Sequence, residues 1–527
     1  MTQRRAPAAL ATLVAGAMAV SACAPAARTD WSPPAWEASA VHMTTAVPEI
    51  DAGTAGPLAS ALIPIRIRND EVGIQARVAT LPDSATTATF NASVVQVVRT
   101  AIEGGVAASG IGYTPTVAPP GSAGGLEERR CVSGSTSLSA ADLLADAALG
   151  PADATGTAVV CGIVAASGSL IGQRLRVVTG SPESVTGDTT TILYADVTSG
   201  ETVAAEGLWA EGAVDALSTD IVEALRRGFG ALSRRDASAG DEAQLAAVRA
   251  ALRTTVPSAD GLVITLAPGF TAPDLAGLGA PTTTEPISFA IPPEVATHLV
   301  SPFGARVLAS IGQPYSGPQA APAGTRRVDC TLVPCVAVTY DDGPSTHTPG
   351  ILDELAARDA AATFFALGQN AQGSADTLAR MTGEGHEVES HTWNHPRLPL
   401  LSAAQVRAQI EDSARALEAA SGQRITAFRP PYGEYTPAVL AAAGMPAILW
   451  DVDTLDWQRP AKDVLIARAV DQPRPGSIVL LHDVHAGTAD ATGAILDGLL
   501  DRGFVLVTVR QLFGGELPAS GAWRRAP

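Results

Sequence analysis

The chain has 527 residues, 46% of them hydrophobic and 17% charged, enough apolar material for packed domains and too little charge for wholesale disorder. That length exceeds what one core ordinarily organises, so at least two domains are expected. A formal net charge of −18, with no basic patch to offset it, argues against nucleic acid or an anionic membrane surface as ligand.

Arg4 and Arg5 open a short basic stretch, an apolar run follows from Ala6 to Val20, and Ser21 and Ala22 lead into Cys23. This resembles a bacterial lipoprotein signal, in which residues 1–22 are removed and Cys23 is acylated. An uncleaved anchor helix is the other reading, although the run is short for a span of about 20 residues. The expected location is the outer face of the cell membrane, with the protein held there through N-terminal lipid. Residues 23–48, rich in Ala, Pro and Thr, read as a tether.

Residues 49–312 have a mixed pattern, which predicts an α+β domain. Leu62 to Ile67 and Ile192 to Val197 read as strands, Leu217, Ile221 and Leu225 mark one face of a helix, and a second helix spans Glu242 to Arg253. The end of this region, DGLVITLAPG at Asp260–Gly269 and ISFAIPPEV at Ile287–Val295, resembles a domain of unknown function that precedes deacetylase domains in some Gram-positive cell-wall enzymes. A wall-binding or spacing role is expected of it. Residues 313–329 concentrate Pro, Gly and Ala and read as a linker. With Cys23 assigned to lipid, Cys131, Cys161, Cys330 and Cys335 remain. In an oxidising compartment, nearness in sequence pairs Cys131 with Cys161 and Cys330 with Cys335. Buried free thiols are the alternative, and a zinc site is weaker because neither pair has CxxC spacing.

After Arg327 apolar strands alternate with amphipathic helices. Strands are predicted at Val336–Tyr340, Ala362–Leu367, Glu387–Ser390, Thr426–Arg429, Ala447–Val452, Ser477–Leu481 and Phe504–Val509. Helix starts are signalled by Thr348 before Pro349, by Ser402 with Gln405 three residues on, and by Thr436 before Pro437. On the longest helix Val406, Ile410 and Leu417 share a face, and Gly422 ends it. The alternation predicts parallel strands in a barrel-like α/β fold over residues 330–515, with 516–527 as a tail, and reactive groups at the carboxyl ends of strands.

The unusual polar residues fall at those ends. Asp341 and Asp342 follow the first strand, His391 and His395 the third, Arg429 the fourth, Asp456 and Trp457 the fifth, and His482 the sixth. Six of the eight histidines lie beyond residue 340. His391 and His395 are four apart, a spacing that puts both rings on one side of a helical turn, and an aspartate from another strand end can complete a facial site. Two nitrogens and an oxygen suit zinc, which acidifies water and polarises a carbonyl. Adjacent carboxylates are not both comfortable unless a cation takes one, so one is assigned to the metal and the other to proton abstraction. His482 is the best candidate for an acid partner; a core histidine, with Asp483 as a helix cap, is the bland alternative.

TYDDGPS at Thr339–Ser345, HTWNH at His391–His395, RPPYG at Arg429–Gly433, DTLDW at Asp453–Trp457 and LLHDVH at Leu480–His485 resemble, in order, the five motifs of the polysaccharide deacetylase (NodB-homology) family, carbohydrate esterase family 4. The resemblance implies an irregular (β/α) barrel. It implies Asp341 as general base paired with Arg429, Asp342, His391 and His395 as ligands of a divalent metal, and His482 as general acid tuned by Asp456. The backbone N–H of Tyr432 would meet the oxyanion, and Trp457 and Leu480 would line the acetyl pocket. Tyr340 stands where the family usually has Phe, and Gln458 where a basic residue is common. His347, His386 and His485 are read as structural or groove residues. The implied reaction is removal of N-acetyl groups from an amino-sugar polymer, with peptidoglycan the nearest cell-wall partner. The alternatives are O-acetyl ester cleavage on xylan or another glycan, and a glycan-binding lipoprotein without catalysis.

Overall fold

The computed structural model describes residues 40–51, 57–121, 129–231, 238–278 and 282–527; the signal segment, Cys23 and the tether up to residue 39 lie outside the described residues. In chain order the N-terminal part contains β1 (His42–Thr44), β2 (Ile63–Asn69), β3 (Ile74–Thr80), α1 (Ala88–Ser109), β4 (Gly156–Ser167), β5 (Leu170–Ser181), β6 (Ser184–Asp196) and β7 (Thr202–Ala204). It continues with α2 (Ala213–Gly228), α3 (Glu242–Leu252), β8 (Val256–Ser258), β9 (Gly261–Leu266) and β10 (Ile287–Ile291). Strands β2 to β7 form one sheet in sequence order, antiparallel except for the parallel β3–β4 pair, and β1-β10-β9-β8 form a second, antiparallel sheet. Phe90, Val94 and Val98 of α1 pack on one face of the larger sheet. Leu217, Ile221 and Leu225 of α2 and Val248 and Leu252 of α3 pack with its other face and with β9. Two stretches expected as connectors are tied into this structure. His42–Thr44, inside the expected tether, pairs with β10 because its N–H and C=O groups complete that sheet's edge. Tyr315, inside the expected linker, bridges Gly168, while Tyr315 and Val328 pack against the core.

The C-terminal part contains β11 (Cys335–Asp341), α4 (Thr348–Ala357), β12 (Thr363–Ala366), α5 (Ala375–Gly383), β13 (Glu387–Ser390), α6 (Ala403–Ser421), α7 (Pro437–Ala443), β14 (Ala447–Ile448) and β15 (Val452–Asp453). It ends with α8 (Lys462–Asp471), β16 (Ile478–His482), α9 (Ala486–Asp501), β17 (Val505–Val507), α10 (Val509–Leu512) and β18 (Ala522–Trp523). All its strand pairs are parallel, in the order β13-β12-β11-β16-β15, with β17 beside the start of β11. Single bridges carry the sheet on from Ser390 to Phe428 and from Phe428 to Ala447 of β14. The same short stretch of chain continues into β15, which returns to β16, so an irregular α/β barrel results whose ladder is open between β14 and β15. Cys335, Ala337, Phe365 and Ile478 face inward, whereas Val336, Val338, Phe364 and Val388 lie under the helices. Burial on both faces is what parallel strands require.

The expected strand at Thr426–Arg429 is reduced to the bridge at Phe428, because the carboxylate of Glu389 takes the N–H groups of Thr426 and Ala427 that a ladder would have used. The expected strand at Ala447–Val452 is split, because the Arg429 guanidinium takes the carbonyls of Ile448 and Leu449. The cap of α4 is His347 rather than Thr348, whose hydroxyl is committed to Asp483 Oδ2 at 2.5 Å. The caps at Ser402 and Thr436 and the left-handed stop at Gly422 are as expected. The expected tail is part of the barrel: β18 pairs with β14, and Ala526 is buried. The two disulfides join Cys131 to Cys161 and Cys330 to Cys335. Among the described residues no helix is long and apolar enough to cross a membrane.

Candidate active site

The site lies at the carboxyl ends of the barrel strands, where β11 delivers Asp341 and the following turn delivers Asp342. Asp342 has a left-handed φ of 75°, unusual for a non-glycine residue, and its carboxylate reaches the same His391 Nε2 that Asp341 faces. His391 and His395 leave β13 in a tight turn, not the expected helical turn. Thr392 and His395 have φ of 71° and 64°, the Thr392 hydroxyl accepts the N–H of His395, and the Thr392 N–H is held by Ser390 Oγ. The ring centroids are 5.0 Å apart as a result. The spacing identified the right pair, but left-handed backbone rather than helical periodicity brings it together.

Donor atoms of Asp342, His391 and His395 all lie within 4.8 Å of one another. Asp342 Oδ1 is 3.5 Å from His391 Nε2 and 3.6 Å from His395 Nε2, is buried, and has no hydrogen-bond partner. His391 Nδ1 donates to the carbonyl of Arg429 at 2.8 Å, which leaves Nε2 as a bare acceptor. Burial holds this ring neutral, its pKa pushed down to about 3. A buried carboxylate oxygen facing a bare imidazole nitrogen is repulsive unless a cation lies between them, and two nitrogens with one oxygen suit zinc. These residues therefore fit a divalent metal.

Asp341, like His391, is buried beside them. Its Oδ1 accepts Arg429 Nη1 at 2.8 Å, and its Oδ2 is 3.8 Å from His391 Nε2. Burial raises its pKa, against the opposing pull of Arg429 and His482. Arg429 is locked in turn by Thr339 Oγ1 and the carbonyls of Ile448 and Leu449, and lies 4.0 Å over the Phe365 ring. From β16, His482 Nδ1 meets Asp456 Oδ1 at 2.7 Å. Burial alone would lower the pKa of His482, but the Asp456 hydrogen bond and charge, with Asp341 and Asp342, push it up to about 9. The ring is thus a proton donor at neutral pH. Asp483, the alternative helix cap, instead accepts the Thr348 hydroxyl, and His485 stands at the N-cap position of α9 without a side-chain capping bond.

These groups line one cavity of about 420 Å³ together with Tyr432, Trp457 and Leu480. Tyr432 has φ 61°, its ring packs edge-on to His395, and Arg397 lies 4.7 Å over it. Trp450, Asp453 and His485 also line the cavity. Sequence reasoning gave none of the three a chemical role, and only the position of Asp453 and His485 inside two of the motifs hinted at one. His347 stands at the N-cap position of α4, and His386 is buried against Phe364 away from the cavity. Tyr340 is fully buried, stacked on Phe364 at 5.2 Å, with its hydroxyl 3.4 Å from Thr492 Oγ1.

Residues 329–447 match the sequence profile of the polysaccharide deacetylase family. The chain is 37% identical over 199 residues to a chitooligosaccharide deacetylase of Sinorhizobium fredii, covering 93% of that protein and 34% of this one. The chain belongs to the polysaccharide deacetylase family. Within the family it is 42% identical over 178 residues to the peptidoglycan-N-acetylmuramic acid deacetylase PdaC of Bacillus subtilis, covering 34% of this chain and 38% of that protein. It is 38% identical over 183 residues to the peptidoglycan-N-acetylglucosamine deacetylase PgdA of Listeria monocytogenes, covering 34% and 39%. The alignment thus spans less than two fifths of these two larger family members. The solved structure of PdaC aligns at 41% identity over 35% of this chain and 92% of that one, with a TM-score of 0.34.

Proposed function

We propose that this polysaccharide deacetylase family member hydrolyses N-acetyl groups on an amino-sugar polymer, peptidoglycan in the first place, with a divalent cation held by Asp342, His391 and His395. The observation that carries the reading is the gathering of those three donors in the cavity that also holds Asp341 and His482. Zinc bound there would supply a Lewis acid that polarises an acyl oxygen and acidifies a water.

The chain's own residues supply the proton chemistry. Asp341, kept oriented by Arg429, accepts the proton of the attacking water, and its raised pKa brings it closer to the operating pH that a base needs. The backbone N–H of Tyr432 meets the oxygen on which negative charge develops. His482, charged below about pH 9, gives its proton to the departing nitrogen, leaving acetate and a free amine. Trp457 and Leu480 line the cavity with apolar surface suited to the acetyl methyl. The printed names of relatives, which include N-acetylmuramic acid, N-acetylglucosamine and chitooligosaccharide deacetylases, support this substrate class. Placement at the outer membrane face through acylated Cys23 is part of the same proposal, supported by the two disulfides, which form in oxidising compartments. Cys23→Ala should release the protein into the medium.

Acetate release from isolated peptidoglycan, from chitooligosaccharides and from acetylated xylan tests the reading. Release from the N-acetyl substrates should be lost with a chelator, return with zinc, and fall at least about 100-fold in Asp341→Asn. Release from xylan alone would replace it with ester hydrolysis, and no release from any of the three would leave a glycan-binding protein.

A further inference from the structure

Asp456 carries three hydrogen bonds on its two oxygens. Its Oδ1 meets His482 Nδ1 at 2.7 Å, and its Oδ2 accepts both the His482 backbone N–H at 2.7 Å and the Thr488 hydroxyl at 2.7 Å. The first bond ties the carboxylate to the acid's own ring, and the second holds it to the backbone of β16. The third ties it to α9. Thr488 is 1% exposed, and its own surroundings hold it still: its N–H donates to the His485 carbonyl, and its carbonyl accepts the Thr492 hydroxyl. Here the hydroxyl reaches out of its helix to a buried carboxylate, at the short distance of a charge-assisted bond. A β-branched side chain in a helix has few rotamers to lose, so this anchor is stiff.

We propose that Thr488 is a positioning residue for the acid: its hydroxyl fixes the Asp456 carboxylate so that His482 keeps its Nδ1 proton on Asp456 and turns Nε2 to the substrate. The proposal rests on the deacetylase reading of the cavity. The charged and titratable groups facing the His482 ring are Asp456 from the turn after β15, Asp341 and Asp342 from β11 and the turn after it, His485, whose ring centroid is 5.6 Å away, and the buried Asp483 next to it in the chain. Asp456 contacts the ring directly, so its orientation sets both the direction in which the proton is offered and how tightly it is held.

The test uses the full chain with Thr488→Val, which keeps the shape and loses the hydroxyl, and Thr488→Ser, which keeps the hydroxyl. Thr488→Val should lower kcat about tenfold with KM little changed, equivalent to about 1.4 kcal/mol, and move the alkaline limb of the pH profile to lower pH. Thr488→Ser should restore both. In an Asp456→Asn background Thr488→Val should add almost nothing, because its effect passes through that carboxylate. A Thr488→Val enzyme with unchanged kcat and limb, a serine variant as impaired as the valine, or independent effects in the double variant would each overturn the proposal. If the wild type releases no acetate, the deacetylase reading fails first. The NMR titration of the His482 ring then decides on its own: a lowered midpoint in Thr488→Val supports the role of Thr488, and an unchanged one ends it.

Discussion

Gly343 separates Asp342 from Pro344, and a Cβ built on it would lie 2.0 Å from Asp483 Oδ2. Asp483 cannot step aside, being buried and tied through that same oxygen to Thr348. Gly343→Ala is therefore expected to shift the turn carrying Asp342 and weaken zinc binding by about 10–100-fold, read by calorimetric titration of the full chain. Unchanged affinity would show that the Asp483 contact is soft. A second residue bears on stability. His386 is 3% exposed, neither ring nitrogen has a hydrogen-bond partner, and burial, helped by Arg380, pushes its pKa down to about 4. Between that value and its ordinary 6.5 the unfolded chain binds a proton that the native chain refuses. Stability should fall as pH drops through this window, by up to about 3 kcal/mol, and His386→Phe should flatten the slope in denaturant titrations at pH 7 and 4.5. The sequence exposed the residues of the site better than their geometry. Asp341, Asp342, His391, His395 and His482 stand in motifs whose side chains have few other uses at strand ends. Thr488 left no trace, because a buried threonine one turn into a helix looks the same whether or not its hydroxyl has a partner elsewhere.

Period and caps carried the elements that obey local rules, such as α6 with its capping box at Ser402 and Gln405. They failed where a side chain outbids the ladder, as Glu389 does at Thr426 and Ala427. They also failed where a strand is polar on both faces. The first half of β6, SVTGDTTT, is mostly exposed and carried no apolar signal, so only its buried end was legible. Glu389 also sets a testable balance. It and Glu387 both lie buried on β13, and Arg510 of α10 reaches both. Burial and the charge of Glu387 push Glu389 up to about 8, and burial raises Glu387 as well, against the pull of Arg510. Native carboxyls that keep protons the unfolded chain gives up above about 4.5 lose stability as pH rises towards 8. Arg510→Met removes the cation and is expected to cost about 3 kcal/mol or more. The loss should be larger at pH 8 than at pH 5 by denaturant unfolding, and equal losses at both would mean that packing, not charge, is what Arg510 contributes.

Residues 313–329 read as a linker between two domains, and the packing on either side ties the two parts together. Val98 and Ile102 of α1 share one apolar cluster with Leu332, Val333, Cys335 and Ala337 at the start of β11. Polar contacts run alongside. Tyr113 donates its hydroxyl to the Leu332 carbonyl, Ala118 exchanges bonds with Arg502, and the buried Arg129 guanidinium donates to the carbonyls of Leu500 and Phe504. Leu500 lies at the carboxyl end of α9, where a cation is favoured by the helix dipole. Every one of these contacts is at the amino ends of the barrel strands, and the cavity is at their carboxyl ends, about 20 Å away along a seven-residue strand. Among the described residues, the N-terminal part thus holds the barrel from behind and none of it lines the cavity. Deleting residues 1–327 should uncover Leu332 and Val333, lower the Tm of the remaining barrel by several degrees, and leave kcat on soluble chitooligosaccharides within about threefold. On insoluble peptidoglycan the same deletion should reduce the rate if the N-terminal part binds the wall. A matching loss on soluble and insoluble substrates would mean instead that it shapes the mouth through the barrel, and no loss on either would leave it a spacer.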